Sequence, residues 1–203
     1  MSRRDQDPAG EEQKRSRSFI GIPLPPADTE VVAEWQRRAL GEGMRAVAPA
    51  NLHITLAFLG DRDPGELARA GEALRAALRD AGAMRIALAG EPIGLPRRRP
   101  RVIAFAAEGP MLMPLRAALV AELAGAGIDL GDPRPFHPHL SVARVRGGHR
   151  RSSIAAELAR FPSGEGGHTF DAVRVALYRS ELRSQGARYS VLADVELPRG
   201  SGG

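Results

Sequence analysis

The chain has 203 residues, long enough for one ordinary domain or two small fused lobes with a sizeable core. Hydrophobic residues make up 43%, which excludes wholesale disorder, and no apolar run approaches the roughly 18 residues of a membrane span. Cysteine is absent, so disulfides, thiolate metal sites and a cysteine nucleophile are excluded, in keeping with an expected cytoplasmic location. The formal net charge is +5, and Lys14 is the only lysine; arginine offers phosphate planar two-point contacts that lysine does not. A moderate positive excess favours an anionic partner without identifying it, and equally describes a solvated arginine-rich surface.

Residues 1–16 are polar, lack the apolar stretch of a signal peptide, and read as a disordered tail. Residues 17–24 read as a strand stopped by Pro25-Pro26, and Asp28 or Thr29 as the cap of a helix reaching Leu40. A short strand, MRAVAP, precedes the strand NLHITLAFLG, and a second helix is expected over 65–81. MRIALAGEPIGL reads as a bent strand, the arginine run 97–101 as a loop, and VIAFAA as the next strand. A third helix is expected over 111–124, stopped by Gly125 and Gly127. The strand HLSVARVR follows a proline-broken stretch; a short helix over 150–160 and two last strands, TFDAVRVALYRS and ARYSVLADVEL, complete the folded part. Residues 198–203 read as a second loose tail.

The layout repeats. Each half has strands, a helix of about four turns and one histidine–apolar–hydroxyl–apolar strand: His53-Ile54-Thr55-Leu56 and, 86 residues later, His139-Leu140-Ser141-Val142. The expected fold is α+β, with two pseudo-symmetric lobes of antiparallel sheet, flanking helices and a cleft between them. Within 17–197 this forms a single bilobal domain.

In an extended strand alternate side chains share a face, so each histidine sits beside its own hydroxyl while the apolar residues face a core. Imidazole is the side chain best suited to exchange a proton near neutrality. One protonated and one neutral histidine on opposite sides of a phosphorus would serve an in-line displacement, with Thr55 and Ser141 on the non-bridging oxygens. The same pattern also fits two unrelated half-buried histidines bonded to neighbouring hydroxyls. A third reading is a metal pair, His137-Pro138-His139, for which the nearby carboxylates are Asp129 and Asp132. His149 and His168 read as solvated loop residues.

Arginines cluster at 97–101 and again at Arg144, Arg146, Arg150 and Arg151, where a phosphate-gripping and a solvent-facing role both fit. Tyr178, Tyr189 and Phe136 are candidates for base stacking, with core packing the commoner fate of such residues. No GxxxxGK[ST] loop occurs, which argues against ATP use.

Taken together, NLHITLAFLG, PRV after the arginine loop, PFHPHLSVAR and LYRSELRSQGARY resemble the 2H phosphoesterases, most closely the bacterial RNA 2′,3′-cyclic phosphodiesterases, also called 2′-5′ RNA ligases. The resemblance spans about Arg17 to Leu197. It implies hydrolysis of a terminal 2′,3′-cyclic phosphate to a 2′-phosphate, without metal or other cofactor, with possible reversible 2′-5′ ligation. It further implies His53 as proton donor, His139 as proton acceptor, and Thr55 and Ser141 on the phosphate; Arg144, five residues after His139 and near the same strand end, is a further phosphate-binding candidate from its position alone. RNA ends, tRNA fragments among them, are the expected partners, the monomer the expected state, and no membrane is involved. The alternatives are a phosphodiesterase of small cyclic nucleotides or ADP-ribose cyclic phosphate, and a non-catalytic RNA-end binding module. Two departures stand out: Ser141 and Val142 replace the usual Thr and Leu, and Phe105 replaces a frequent Trp, with an expected effect on base stacking.

Overall fold

The computed structural model describes residues 15–131, 135–145, 158–161, 167–183 and 186–198. Nine strands and three helices follow in the order β1 (Ser16–Pro23), α1 (Pro26–Ala39), β2 (Met44–Ala46), β3 (His53–Arg62), α2 (Pro64–Ala77), β4 (Met84–Leu95), β5 (Val102–Glu108), α3 (Leu112–Gly125), β6 (His139–Val145), β7 (His168–Ala172), β8 (Arg174–Arg183) and β9 (Gly186–Glu196). The expected helix over 150–160 and both expected tails lie almost wholly outside the described residues. No described helix is long and apolar enough to cross a membrane.

All nine strands form one antiparallel sheet, in the order β7-β4-β5-β6-β3-β1-β8-β9, with β2 on β6. Its two lobes are the two halves of this sheet, β7-β4-β5-β6 and β3-β1-β8-β9. They meet at a single register pair, Ile54 with Leu140, the apolar residues in the middle of the two repeated motifs. The segment read as one strand, TFDAVRVALYRS, is in fact two. β7 pairs with β4 in one half and β8 pairs with β1 in the other, with only Val173 between them. Strands so far apart in the sheet order are joined by one residue only because the sheet curls until its halves approach. The concave face of that curl is the cleft.

The helices cover the other face, burying Ile54, Leu140, Ile86 and Ile103 completely. α2 carries the full N-terminal signal: the Asp63 side chain accepts from the Glu66 N–H, and Glu66 accepts from the Asp63 N–H. α1 starts earlier than its expected cap, because Pro25 and Pro26 already hold helix-entry torsions. Thr29 instead donates to the Leu24 carbonyl, and Asp28 is engaged elsewhere. Trp35 of α1 meets Phe105 edge to face, 4.9 Å between ring centroids, and donates its indole N–H to the Ala159 carbonyl. Gln36, buried beside it, donates to the carbonyls of Val47 and Val142, tying the residue that follows β2 to the middle of β6.

Phe105 is therefore not a stacking surface for a base. It is fully buried, enclosed by Trp35 and Phe161 on the helix-covered face, because its register partner is Leu140 and not a cleft residue. His168 is likewise no solvated loop residue: it opens β7, and its Nε2 lies 2.7 Å from Asp28 Oδ1, pinning that strand to α1.

Candidate active site

The Ile54–Leu140 pair fixes the rest of the site. In an antiparallel pair, one step either way brings His53 opposite Ser141 and Thr55 opposite His139, with all four side chains on the cleft face. The arrangement is two-fold symmetric about the point where the strands touch.

Both imidazoles are held in the same way. His53 Nδ1 lies 2.7 Å from the Asn51 carbonyl and His139 Nδ1 lies 2.8 Å from the His137 carbonyl, each two residues upstream. A carbonyl only accepts, so Nδ1 carries a proton in both rings and Nε2 is left for the cleft. His53 Nε2 lies 3.1 Å from Thr55 Oγ1, the hydroxyl of its own motif. The backbone–Nδ1 bond also removes His139 Nδ1 from metal binding, and no group of three His, Cys, Asp or Glu side chains converges among the described residues. His137 is exposed, its carbonyl serving as the anchor for His139. Asp132, the other carboxylate of the metal reading, lies outside the described residues.

The motif strands share a further feature that simple alternation misses. β3 has a register shift against β1 between Thr55 and Ala57, and β6 has one against β5 between Ser141 and Ala143. Each bulge inserts one residue at the same offset from its histidine and reverses the facing of the residues that directly follow it. The residue five positions beyond each histidine thereby turns into the cleft. On β3 that residue is Phe58, 44% exposed; on β6 it is Arg144, also exposed. One duplicated scaffold thus presents an aromatic in one copy and a guanidinium in the other.

Arg144 pairs across the strands with Arg45 of β2, a residue that nothing in the local sequence singles out. Like charges directly opposite on neighbouring strands are destabilising. Neither arginine has an ion-pair partner among the described residues, so an anion is the group that would relieve their repulsion. Arg146, Arg150 and Arg151 lie outside the described residues, as does His149.

Around His53 the wall is aromatic. Phe19 stacks on its ring at 4.6 Å, Tyr189 meets it edge-on at 5.4 Å, and Tyr178 stacks on Phe19 at 5.0 Å. Tyr189 reaches the ring because the start of β9 is held at this end of the cleft, where Asn51 donates to the Ala187 carbonyl. Gly21 completes the fit: a Cβ there would lie 2.8 Å from the Ile54 carbonyl oxygen and 3.2 Å from His53 Cδ2. Phe136 takes no part, its ring lying under the Arg116 guanidinium. Tyr178 is buried in the wall, leaving Tyr189 and Phe58 as the aromatics that face the cleft.

Burial in this wall lowers the pKa of His53 to about 4, with the neighbouring His139 adding to the effect and the Asn51 carbonyl opposing it. The unfolded chain, with an ordinary histidine pKa near 6.5, binds this proton first as pH falls. The fold therefore has its full stability from this group above about pH 6.5 and loses it down to about pH 4, by as much as about 3 kcal/mol. The expected result is a thermal midpoint that falls between pH 7 and pH 5, with a shallower fall in His53→Asn. Equal slopes in the two proteins would contradict it.

A curled sheet that brings a histidine and a hydroxyl from each of two touching strands onto one concave face is the architecture of the 2H phosphoesterases. Within them, residues 23–183 match the 2′-5′ RNA ligase superfamily, and the chain belongs to it. Its relatives include the RNA 2′,3′-cyclic phosphodiesterase of Methanothermobacter thermautotrophicus, 29% identical over 177 residues that cover 86% of this chain and 95% of that one. The enzyme of the same name from Thermus thermophilus is 31% identical over 198 residues, covering 89% and 90%. Among solved structures, TT0787 of Thermus thermophilus superposes with a TM-score of 0.75 at 29% identity, covering 92% of this chain and all of that one. LigT of Escherichia coli in its apo form gives 0.71 at 25% identity, covering 92% and 99%.

Proposed function

We propose that this protein is an RNA 2′,3′-cyclic phosphodiesterase that opens the terminal cyclic phosphate to a 2′-phosphate. The observation that carries this reading is the pair of imidazoles with Nδ1 tied to backbone and Nε2 directed to one cleft, each with a hydroxyl of its own motif beside it. Water attacks phosphorus and gives its proton to His139 Nε2. The P–O3′ bond breaks in line, and His53 Nε2 supplies the proton to O3′. Thr55 and Ser141 hydrogen-bond the non-bridging oxygens, and Arg144 and Arg45 offer charge to the phosphates. Both acid and base are side chains, so the reading needs no metal, and the site comes from one chain, so the monomer is its active unit. Activity on a cyclic-phosphate oligonucleotide in EDTA, with higher kcat/KM than on the cyclic mononucleotide, is the result that tests it. Loss in EDTA restored by zinc, or equal kcat/KM on both substrates, would count against it.

His53 is neutral near pH 7 in the free site, whereas a donor must be charged. The bound phosphodiester supplies the opposite charge that favours imidazolium, so binding draws in the proton that catalysis then uses. Calorimetric titration of cytidine 2′,3′-cyclic phosphate into His139→Ala, in buffers of differing ionisation enthalpy at pH 7, is expected to show uptake of most of a proton. Binding without uptake would reverse the two roles, with His53 as base.

A further inference from the structure

The cleft does not end at His139. A groove of about 640 Å³ runs from this histidine over the cleft face of β4 and β5 to the first turn of α3. Its lining is mostly apolar, with Ile93 and Leu95 of β4, Pro138, and Met113 of α3, which is 54% exposed, while Glu108 and His137 add polar groups at the α3 and His139 end. Arg97, exposed at one end of the arginine loop, stands at its edge. His53 and its aromatic wall do not line it.

We infer that this groove is the subsite for the 5′-hydroxyl end of a second RNA strand, the acceptor in 2′-5′ joining and the departing strand in 2′-5′ cleavage. The inference rests on the function proposed above and follows from in-line geometry. The leaving O3′ belongs to the cyclic-phosphate nucleoside and departs beside His53, so that nucleoside occupies the His53 end. Whatever attacks enters opposite, beside His139, and there the groove begins. In joining, the 5′-hydroxyl oxygen bonds to phosphorus and its proton passes to His139 Nε2. The P–O3′ bond breaks and O3′ takes a proton from His53, leaving a 2′-5′ diester with no other reactant used. Cleavage is the same step reversed. A mostly apolar lining suits the faces of a nucleobase, and Arg97 suits the phosphate on the 3′ side of the acceptor nucleoside. Water needs none of this surface, so the groove governs the balance between joining and hydrolysis.

The test compares two substrates that share one cytidine. Cytidine 2′,3′-cyclic phosphate needs only the His53 end, whereas cytidylyl-(2′→5′)-adenosine must also seat adenosine in the groove. In Ile93→Trp, which fills the groove, the ratio of dinucleotide cleavage to cyclic-phosphate hydrolysis is expected to fall tenfold or more. In Arg97→Ala, an exposed loop change that leaves the fold intact, the ratio is expected to fall severalfold when the adenosine carries a 3′-phosphate and to hold when it does not. Unchanged ratios in both variants would overturn the inference. So would a wild-type protein that hydrolyses the cyclic phosphate yet does not cleave the dinucleotide, with the proposed function left standing. A wild-type protein that processes neither substrate would remove that function itself.

Discussion

Replacing His53 or His139 with alanine is expected to lower turnover of a cyclic-phosphate RNA end by about 10² to 10⁴, the range for loss of a positioned general acid or base. Each variant should keep the fold, because both rings face the cleft while the strand residues between and beyond them, Ile54, Leu56, Leu140 and Val142, remain in the core. Substrate affinity should change less than kcat, since the transfers from water to His139 and from His53 to O3′ take place only in the transition state. The double variant should be little worse than the poorer single one, because acid and base belong to one concerted displacement. Circular dichroism and initial rates on the same preparations check this. Near-normal hydrolysis by either single variant would remove that histidine from the mechanism.

The next largest effect is expected from the hydroxyls. Thr55→Val and Ser141→Ala each remove one donor to the oxygens on which charge develops, a loss of roughly 10² to 10³ for a preorganised donor of this kind. The two are not equivalent. Thr55 Oγ1 also lies 3.1 Å from His53 Nε2, so its loss alters the environment of the acid as well as of the phosphate. Thr55→Val should therefore shift the pH–rate profile, whereas Ser141→Ala should lower it without moving it as far. Conversion of Ser141 to Thr should preserve the rate, since the hydroxyl is kept. Rate–pH profiles of the three variants decide the matter, and identical profile shifts for Thr55→Val and Ser141→Ala would contradict the assigned asymmetry.

Much of this site can be read from the residues. Period-two alternation places each histidine beside its hydroxyl and Ile54 or Leu140 on the other face, and the structure follows that alternation through the two motifs. The alternation fails two residues later in both strands, where the bulges turn Phe58 and Arg144 toward the cleft. A bulge depends on how a strand pairs with its neighbours, and nothing in LAF or VAR announces it. Pairing likewise explains the residues that local reading passes over or misplaces. Arg45 matters because β2 lies on β6, and Gly21 because β1 passes close to the Ile54 carbonyl. Phe105 is core because its partner is Leu140, and TFDAVRVALYRS splits because the curled sheet offers its two parts to different halves. His168 reads as a loop residue because its glycine-rich approach hides a partner, Asp28, that is 140 residues distant in sequence.

In the proposed reaction His53 protonates O3′ while water, activated by His139, attacks from the opposite side. The most direct measurement is the product of a 2′,3′-cyclic-phosphate oligonucleotide hydrolysed in ¹⁸O-labelled water and resolved by phosphorus NMR. The expected product is a terminal 2′-phosphate alone, carrying one labelled oxygen. A 3′-phosphate, an equal mixture of the two, or an unchanged cyclic end would contradict it.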